Sequence, residues 1–309
     1  MLQNAILFKL ANGWPQSASD LEAAFATEPF QPCSATQQQS TGWVPPRGHD
    51  HGALVETISG QWLARFVIET RKVPADAVRK KTKELADAVT RQTGREPGRK
   101  ELRDLREDAV QALLPQAFPK RTDIPIWIDP DTRVMWIDTS TQSKADELIA
   151  SLVRHAQSGF GLRALQTTQS PQAAMAAWLS APLDQDAMPE AFSSGMECEL
   201  NGCGDEPSVI KFSKHTLQTD QVRQNIAEGK LPTKMALQYQ DRIEFVLTDR
   251  LIIKKIRFLE SAVAGADLPD QEGQDRFDAD AALATGELRP MLTDLVAALD
   301  GELVEQASP

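Results

Sequence analysis

Cysteine is scarce in this chain: three residues, Cys33, Cys198 and Cys203, among 309. An odd and scattered set makes no disulfide framework, which predicts a reducing compartment. Cys198 and Cys203 have a four-residue spacer, with His215 downstream. A structural zinc site needs a fourth ligand, and only Cys33 or a distant histidine is on offer. Long apolar runs are missing too; none approaches the roughly 18 to 20 residues that span a bilayer. The stretch Met1 to Trp14 has neither a basic segment nor a small-residue cleavage site, so it reads as a first β-strand and not an export signal. The chain is therefore expected in the cytoplasm, with no membrane partner. With 41% hydrophobic and 25% charged residues it has the balance of a globular protein, long enough for two or three domains.

Catalytic motifs are the next absence. There is no Gly-x-Ser-x-Gly elbow and no obvious Cys–His pairing. The run Gly94-Arg-Glu-Pro-Gly-Arg-Lys100 looks like a phosphate loop but fails as one. Only three residues separate its glycines, Glu101 follows the lysine, and the preceding segment reads as helix. His49-Asp50-His51 offers two metal ligands between glycines with no third in view, and reads as an exposed polar turn. Asp129 and Asp138 close two apolar runs and could form a carboxylate pair for acid–base or metal work, although aspartates at strand ends are common turn formers. These features leave no foothold for a cofactor or a small-molecule substrate.

What the chain does have is segregated charge. The formal net charge is -11, which opposes phosphate binding if it is spread evenly. It is not. Arg71 to Arg121 holds 14 basic and 8 acidic residues, and Val209 to Arg257 holds 10 basic and 5 acidic. Between them, Ala181 to Glu206 carries seven acids and no lysine or arginine; from Glu260 onward there are 12 acids and two arginines. Local field, not net charge, decides where a polyanion settles, so basic surfaces are compatible with an acidic total.

The pattern along the chain predicts an α+β fold with mostly antiparallel sheets and packed helices. Ala53–Ser59 and Trp62–Thr70 read as strands about a Gly60-Gln61 turn, after a rigid loop at Gly42 to Gly48. Helices are expected from Pro74 and again after Gly94 to Gly98, with thin apolar stripes (Val78, Leu85, Val89; Leu102, Leu105, Ala109, Leu113, Leu114). Too narrow for a large core, this helical hairpin is expected to project from the flanking sheet. Pro125–Asp129 and Val134–Asp138 form a hairpin; Lys144–His155 and Pro171–Ser180 are helices. Residues 181–206 read as an acidic, turn-rich boundary. Beyond it come strand Ser208–Phe212, helix Thr219–Glu228, strands Lys234–Tyr239, Arg242–Thr248 and Leu251–Phe258, and a helix from about Asp280 to Leu299 interrupted near Gly286 and Pro290. The expected domains are a central α+β unit (1–73 plus 117–180), a helical tip insertion (74–116) and a C-terminal α+β base (181–309).

Several stretches together resemble the bacterial RdgC family of recombination-associated proteins. They are Pro29-Phe30-Gln31-Pro32-Cys33, Gly42-Trp-Val-Pro-Pro-Arg47, Gly60-Gln-Trp62, Leu113-Leu-Pro-Gln-Ala-Phe118, Trp127-Ile-Asp129 and Lys144-Ala-Asp-Glu147. Further along come Glu228-Gly-Lys230, Thr233-Lys-Met-Ala-Leu237, Arg242-Ile-Glu-Phe-Val-Leu247, Arg276-Phe-Asp-Ala-Asp280 and Thr285-Gly-Glu-Leu288. They occur in the family's order over nearly the whole length. The resemblance implies a horseshoe subunit that pairs with a second copy at both ends, closing a ring-shaped homodimer around a basic hole. It implies binding of double-stranded DNA without sequence preference, association with the nucleoid, restraint of RecA-driven strand exchange, no enzymatic activity and no cofactor. On that basis the acidic C-terminal part is expected to face outward.

Carried over residue by residue, Phe118 matches an aromatic at the meeting of two subunits' tips; its alternative role is core packing. Lys214 and Lys230 match basic positions facing the hole, and Lys211 and Lys234 join them by charge alone. Gln116 stands where relatives have arginine and His215 where a relative has glutamine, so DNA contacts near the tip are expected to be weaker, with Arg95, Arg99 and Lys100 as compensating candidates. Two other classes stay open: a regulator that binds recombination or replication proteins with DNA binding incidental, and a divergent metal-dependent nuclease using Asp129 and Asp138.

Overall fold

Two antiparallel sheets follow from two sets of alternating apolar residues. The computed structural model describes all residues except 1, 12, 16, 49–50, 156–160, 183–186, 203–207, 264–273 and 304–309. The first sheet contains β1 (Ile6–Leu10), β2 (Gln39–Val44), β3 (Val55–Ile58), β4 (Gln61–Arg71), β5 (Pro119–Asp129), β6 (Val134–Ile137) and β7 (Leu162–Ala164). Its order is β2-β4-β5-β6-β1-β7, with β3 also on β4. The second sheet contains β8 (Phe192–Gly202), β9 (Val209–Ser213), β10 (Lys230–Tyr239), β11 (Ile243–Thr248) and β12 (Ile253–Phe258), in the order β12-β11-β10-β8-β9. Every strand pairing within them is antiparallel, as the alternation predicts.

The helices are α1 (Ala18–Phe25), α2 (Ala75–Thr93), α3 (Arg99–Leu113), α4 (Gln142–His155), α5 (Pro171–Ser180), α6 (Asp220–Ala227), α7 (Glu260–Val263) and α8 (Gln274–Ala298). On one face of the first sheet Phe66, Ile124, Ile126 and Ile137 pack with Leu21 and Phe25 of α1 and Leu148 of α4. Trp43 stacks on Phe25 at 3.5 Å and donates its indole N–H to Ser151 Oγ at 3.1 Å. The opposite face, with Trp127 stacked on Trp136, shares one core with the inner face of the second sheet, α5 and α8. Backbone bonds between Ala5 and Ile253 and from Ile256 N–H to the Gln3 carbonyl tie the sheets together.

Several local expectations are corrected. The β3–β4 turn is Ser59-Gly60, with φ of 50° and 79° and Ile58 opposite Gln61; a two-residue turn of this handedness matches the twist of its strands. Gly42 to Val44 belongs to β2 and not to a loop: backbone bonds to Glu28 and Phe30 hold it, and a Cβ on Gly42 would lie 2.5 Å from Phe30 Cα. Helix α1 was not expected; Ser17 caps it by accepting from the Asp20 N–H. The acidic boundary segment contains β8, a central strand of the second sheet. Helix α8 runs through Gly286 and Pro290 without interruption, because burial of Leu288, Met291, Leu292 and Leu295 outweighs one missing backbone bond.

The segment richest in arginine and lysine folds as α2 and α3, which pack on each other. Gly94 ends α2 in the left-handed conformation (φ 74°) and Gly98 opens α3. Val78 and Ala109 are the buried residues of the two helices. No helix of the described residues is long and apolar enough to cross a membrane.

Candidate nucleic-acid interface

The second sheet buries Cys198, Leu200, Phe212, Met235 and Leu247 on its inner side and turns their polar neighbours outward. Register then dictates who meets whom. Glu199 on β8 lies opposite Lys211 on β9 and opposite Lys234 on β10. Its carboxylate takes both ammonium groups, Lys234 Nζ at 2.9 Å and Lys211 Nζ at 3.3 Å. The Lys234 hydrogen bond, aided by Lys211 and opposed by burial, holds the Glu199 carboxyl below the usual range. Lys254 and Lys255 of β12 and Glu197 of β8 complete an open groove of about 470 Å³, floored by Val246 and edged by Asn4 and Ser140. Lys255 reaches Glu197, and Arg257 reaches Glu244 of β11. Across the face, basic β9, β10 and β12 alternate with β8 and β11, which carry the carboxylates.

A β-bulge separates two lysines that spacing alone would put together. Lys230 lies opposite Gly202 and Pro232 opposite Leu200, but Lys234 lies opposite Glu199, so Thr233 is an extra residue. One inserted residue reverses the alternation, and Lys230 falls on the other side of the sheet from Lys234. There it pairs with Glu228 at 3.0 Å, its side chain only 17% exposed. Lys214 follows β9 at φ 54°, exposed, with no ion pair among the described residues. The structure thus joins Lys211 and Lys234, keeps Lys214 just beyond the strand end and sets Lys230 apart. Lys254 and Lys255 were missed as individual residues; the mixed apolar and basic run Ile253-Lys-Lys-Ile-Arg257 was the available signal.

At the α2–α3 turn Arg95 pairs with Glu101 at 3.0 Å, while Arg99 and Lys100 are exposed on the first turn of α3. Gly98 offers no side-chain cap, so the first N–H groups of α3 lie open beside two cations, an arrangement suited to phosphate. Phe118 follows the 3₁₀ turn Leu114–Gln116 and is 92% exposed, which removes core packing within the subunit as its role. Its backbone is fixed: Leu114 is fully buried and Arg71 Nη1 donates to the Ala117 carbonyl at 2.7 Å. An aromatic ring is thereby displayed to solvent from a rigid mount.

The carboxylates singled out for catalysis are occupied and apart. Asp129 pairs in register with Val134, and Ile137 with Ile126, which leaves Asp138 at the other end of the hairpin. Asp129 accepts from the Asp131 and Thr132 backbone and the Thr132 hydroxyl, and is bridged by Arg289 at 3.1 Å. Asp138 accepts from the Gln3 and Asn4 N–H groups; burial, against those bonds, pushes its carboxyl upward. Among the described residues no three His, Cys, Asp or Glu side chains are grouped to hold a metal. Cys203, His49 and Asp50 lie outside the described residues; Cys198 is buried, its thiol pushed up to about 12 by burial and by Glu199. Part of the acidic C-terminal region is used within the subunit: Glu287 holds Arg242 at 2.8 Å and Asp294 accepts from the Tyr239 hydroxyl at 2.7 Å.

Fold and site together define an α+β protein of two antiparallel sheets, one of which carries a lysine-bearing outer face over a shared core. The family model described as "Putative exonuclease, RdgC" matches residues 1–302. The chain is 38% identical over 306 residues to "Recombination-associated protein RdgC" of Dechloromonas aromatica (strain RCB), covering 98% of each. It is likewise 38% identical over 301 residues to the protein of that name from Janthinobacterium sp. (strain Marseille), covering 97% of this chain and 98% of the relative. With Cupriavidus pinatubonensis (strain JMP 134 / LMG 1197) the identity is 38% over 300 residues, with the same coverage. The chain belongs to the RdgC family of recombination-associated proteins.

Proposed function

We propose that this protein binds double-stranded DNA without sequence preference and without cleaving it, as a homodimer that closes around the duplex. The observation that carries the reading is the row of lysines on one sheet face: Lys211, Lys234, Lys254 and Lys255, with Lys214 just past the strand end. Adjacent strands lie about 4.8 Å apart, so cations on β9, β10 and β12 recur at roughly 10 Å across the face. That array meets a phosphate backbone and carries no base-reading helix, which gives affinity without sequence choice. Arg99 and Lys100 add a second contact from the α3 end. Phe118, exposed and rigidly mounted, supplies the apolar patch for closure, since a two-fold interface brings the same residue from both subunits to one place. The name shared by the relatives supports a role in recombination. In that role the protein resides on the nucleoid in the cytoplasm and restrains RecA by occupying the duplex.

Gel shifts on unrelated linear and circular duplexes, over a salt range and with and without EDTA, test the reading. Equal affinity for all sequences is expected, with a log–log salt slope of about 0.9 per neutralised phosphate. A strong preference for one short site overturns it. Divalent-cation-dependent degradation would favour the nuclease that the family model's description names.

A further inference from the structure

The lysine row on the sheet face has two carboxylates built into it, Glu199 and Glu197. Glu199 is 18% exposed and is also approached by the Thr233 hydroxyl at 3.4 Å. Lys211 and Lys234 are 67% and 41% exposed and end in flexible stems. The glutamate is therefore the more confined partner and the lysines are the freer ones. Ion pairs between exposed groups exchange readily with other partners. Glu197 makes a similar pair with Lys255, at 47% and 66% side-chain exposure.

Resting on the duplex-binding reading above, we propose that Glu199 is an internal competitor of phosphate. It neutralises Lys211 and Lys234 in the free protein, and the DNA backbone must take them from it. While both lysines pair with it, the Glu199 carboxyl is held below its ordinary range, so it is ionised at neutral pH in the free protein. Once the lysines turn to phosphates, the carboxylate is left facing a polyanion, and like charges oppose each other across the interface. Glu199 thus lowers affinity and keeps the complex releasable. The two lysines with Glu199 present one net positive charge; without it they present two.

Glu199→Gln keeps the size and hydrogen-bonding reach of the side chain and removes its charge. Fluorescence anisotropy with a duplex of arbitrary sequence is expected to show affinity about three- to tenfold tighter at moderate salt, and a salt slope steeper by about 0.9. Glu147→Gln makes the same charge change at an exposed position of α4 and is expected to leave both readouts near those of the parent. Equal behaviour of the two variants, or weaker binding by Glu199→Gln, overturns the proposal. If Glu199→Gln fails to fold, Glu197→Gln on the exposed Lys255 pair decides: tighter binding supports it and unchanged binding overturns it. A parent protein that leaves duplex unbound at every salt concentration overturns the duplex-binding reading itself, and this inference with it.

Discussion

The two basic regions of this protein hold their charge in opposite ways. Arg71 to Arg121 and Val209 to Arg257 carry nearly equal excesses of positive charge, +6 and +5 from the counts above. In the second sheet the cations stand on strands whose other side is a shared hydrophobic core, and register sets Lys211 and Lys234 opposite Glu199 and Arg257 opposite Glu244. In α2 and α3 the helices bury little besides Val78 and Ala109, and Arg99 and Lys100 lie open at a helix start. The sheet is a rigid, partly neutralised surface; the helix pair is a lightly anchored, more open one. Equal charge in sequence therefore yields a positioned array in one place and a loosely held one in the other.

The largest expected effect breaks the anchoring contrast. Met235, fully buried on the inner side of β10, supports the lysine face. Met235→Ala is expected to cost about 2 to 5 kcal/mol of stability. Val78→Ala, removing less volume from a thin interface, should cost about 1 kcal/mol. Denaturant titration of both variants checks this, and equal losses would mean that the helix pair is as firmly cored as the sheet.

Next comes binding itself. Replacing Lys211 and Lys234 together by alanine should weaken all duplexes alike and lower the salt slope by about 2. Arg99→Ala with Lys100→Ala should weaken binding less, because open side chains on a lightly packed support lose more freedom on contact. Lys214→Ala alone should lower the slope by about 1. Lys230→Ala should lower it less, since that amine is sheltered by Glu228 on the other side of the sheet. Salt-dependent anisotropy ranks the variants.

Phe118→Ser separates closure from contact. At 92% exposure its removal should shift stability within about 0.5 kcal/mol. Dissociation from circular duplex should nevertheless accelerate more than initial binding weakens. A melting temperature measured beside the dissociation rate reads both, and an unchanged rate from circular DNA counts against a role in closure.

The smallest effect is pH-dependent. Lys234, then Lys211, depress the Glu199 carboxyl in the folded state, so the pairs stabilise the fold above the unfolded carboxyl's range. That contribution is lost as pH falls through the lowered value. Parent and Glu199→Gln should therefore differ in stability by under about 1 kcal/mol at neutral pH and converge in acid. A difference that persists in acid would assign the stabilisation to something other than the ion pairs.

Much of the scaffold was readable because its signals are local. Alternating runs such as Pro125–Asp129 and Val134–Asp138 and the Gly94 and Gly98 breaks each follow from backbone preference within a few residues. Phe118 was singled out only through the family resemblance, and its exposure was not legible, since an aromatic beside a helix end fits a core equally well. Lys211 and Lys234 were legible as basic; their joint hold on Glu199 was not, because Glu199 lies in the stretch that reads as an acidic boundary.

Composition and short-range pattern by themselves determined the α+β class, most element positions and the segregation of charge, and the quoted stretches in order carried the resemblance to the RdgC family. Tertiary structure alone decided which charges meet. Strand order inserts acidic β8 between basic β9 and β10, and the bulge at Thr233 turns Lys230 away from Lys234. The reason is physical: alternation along one strand assigns a side chain to a face, but the identity of its cross-strand neighbour depends on pairing between segments distant in sequence, chosen by burial of the common core.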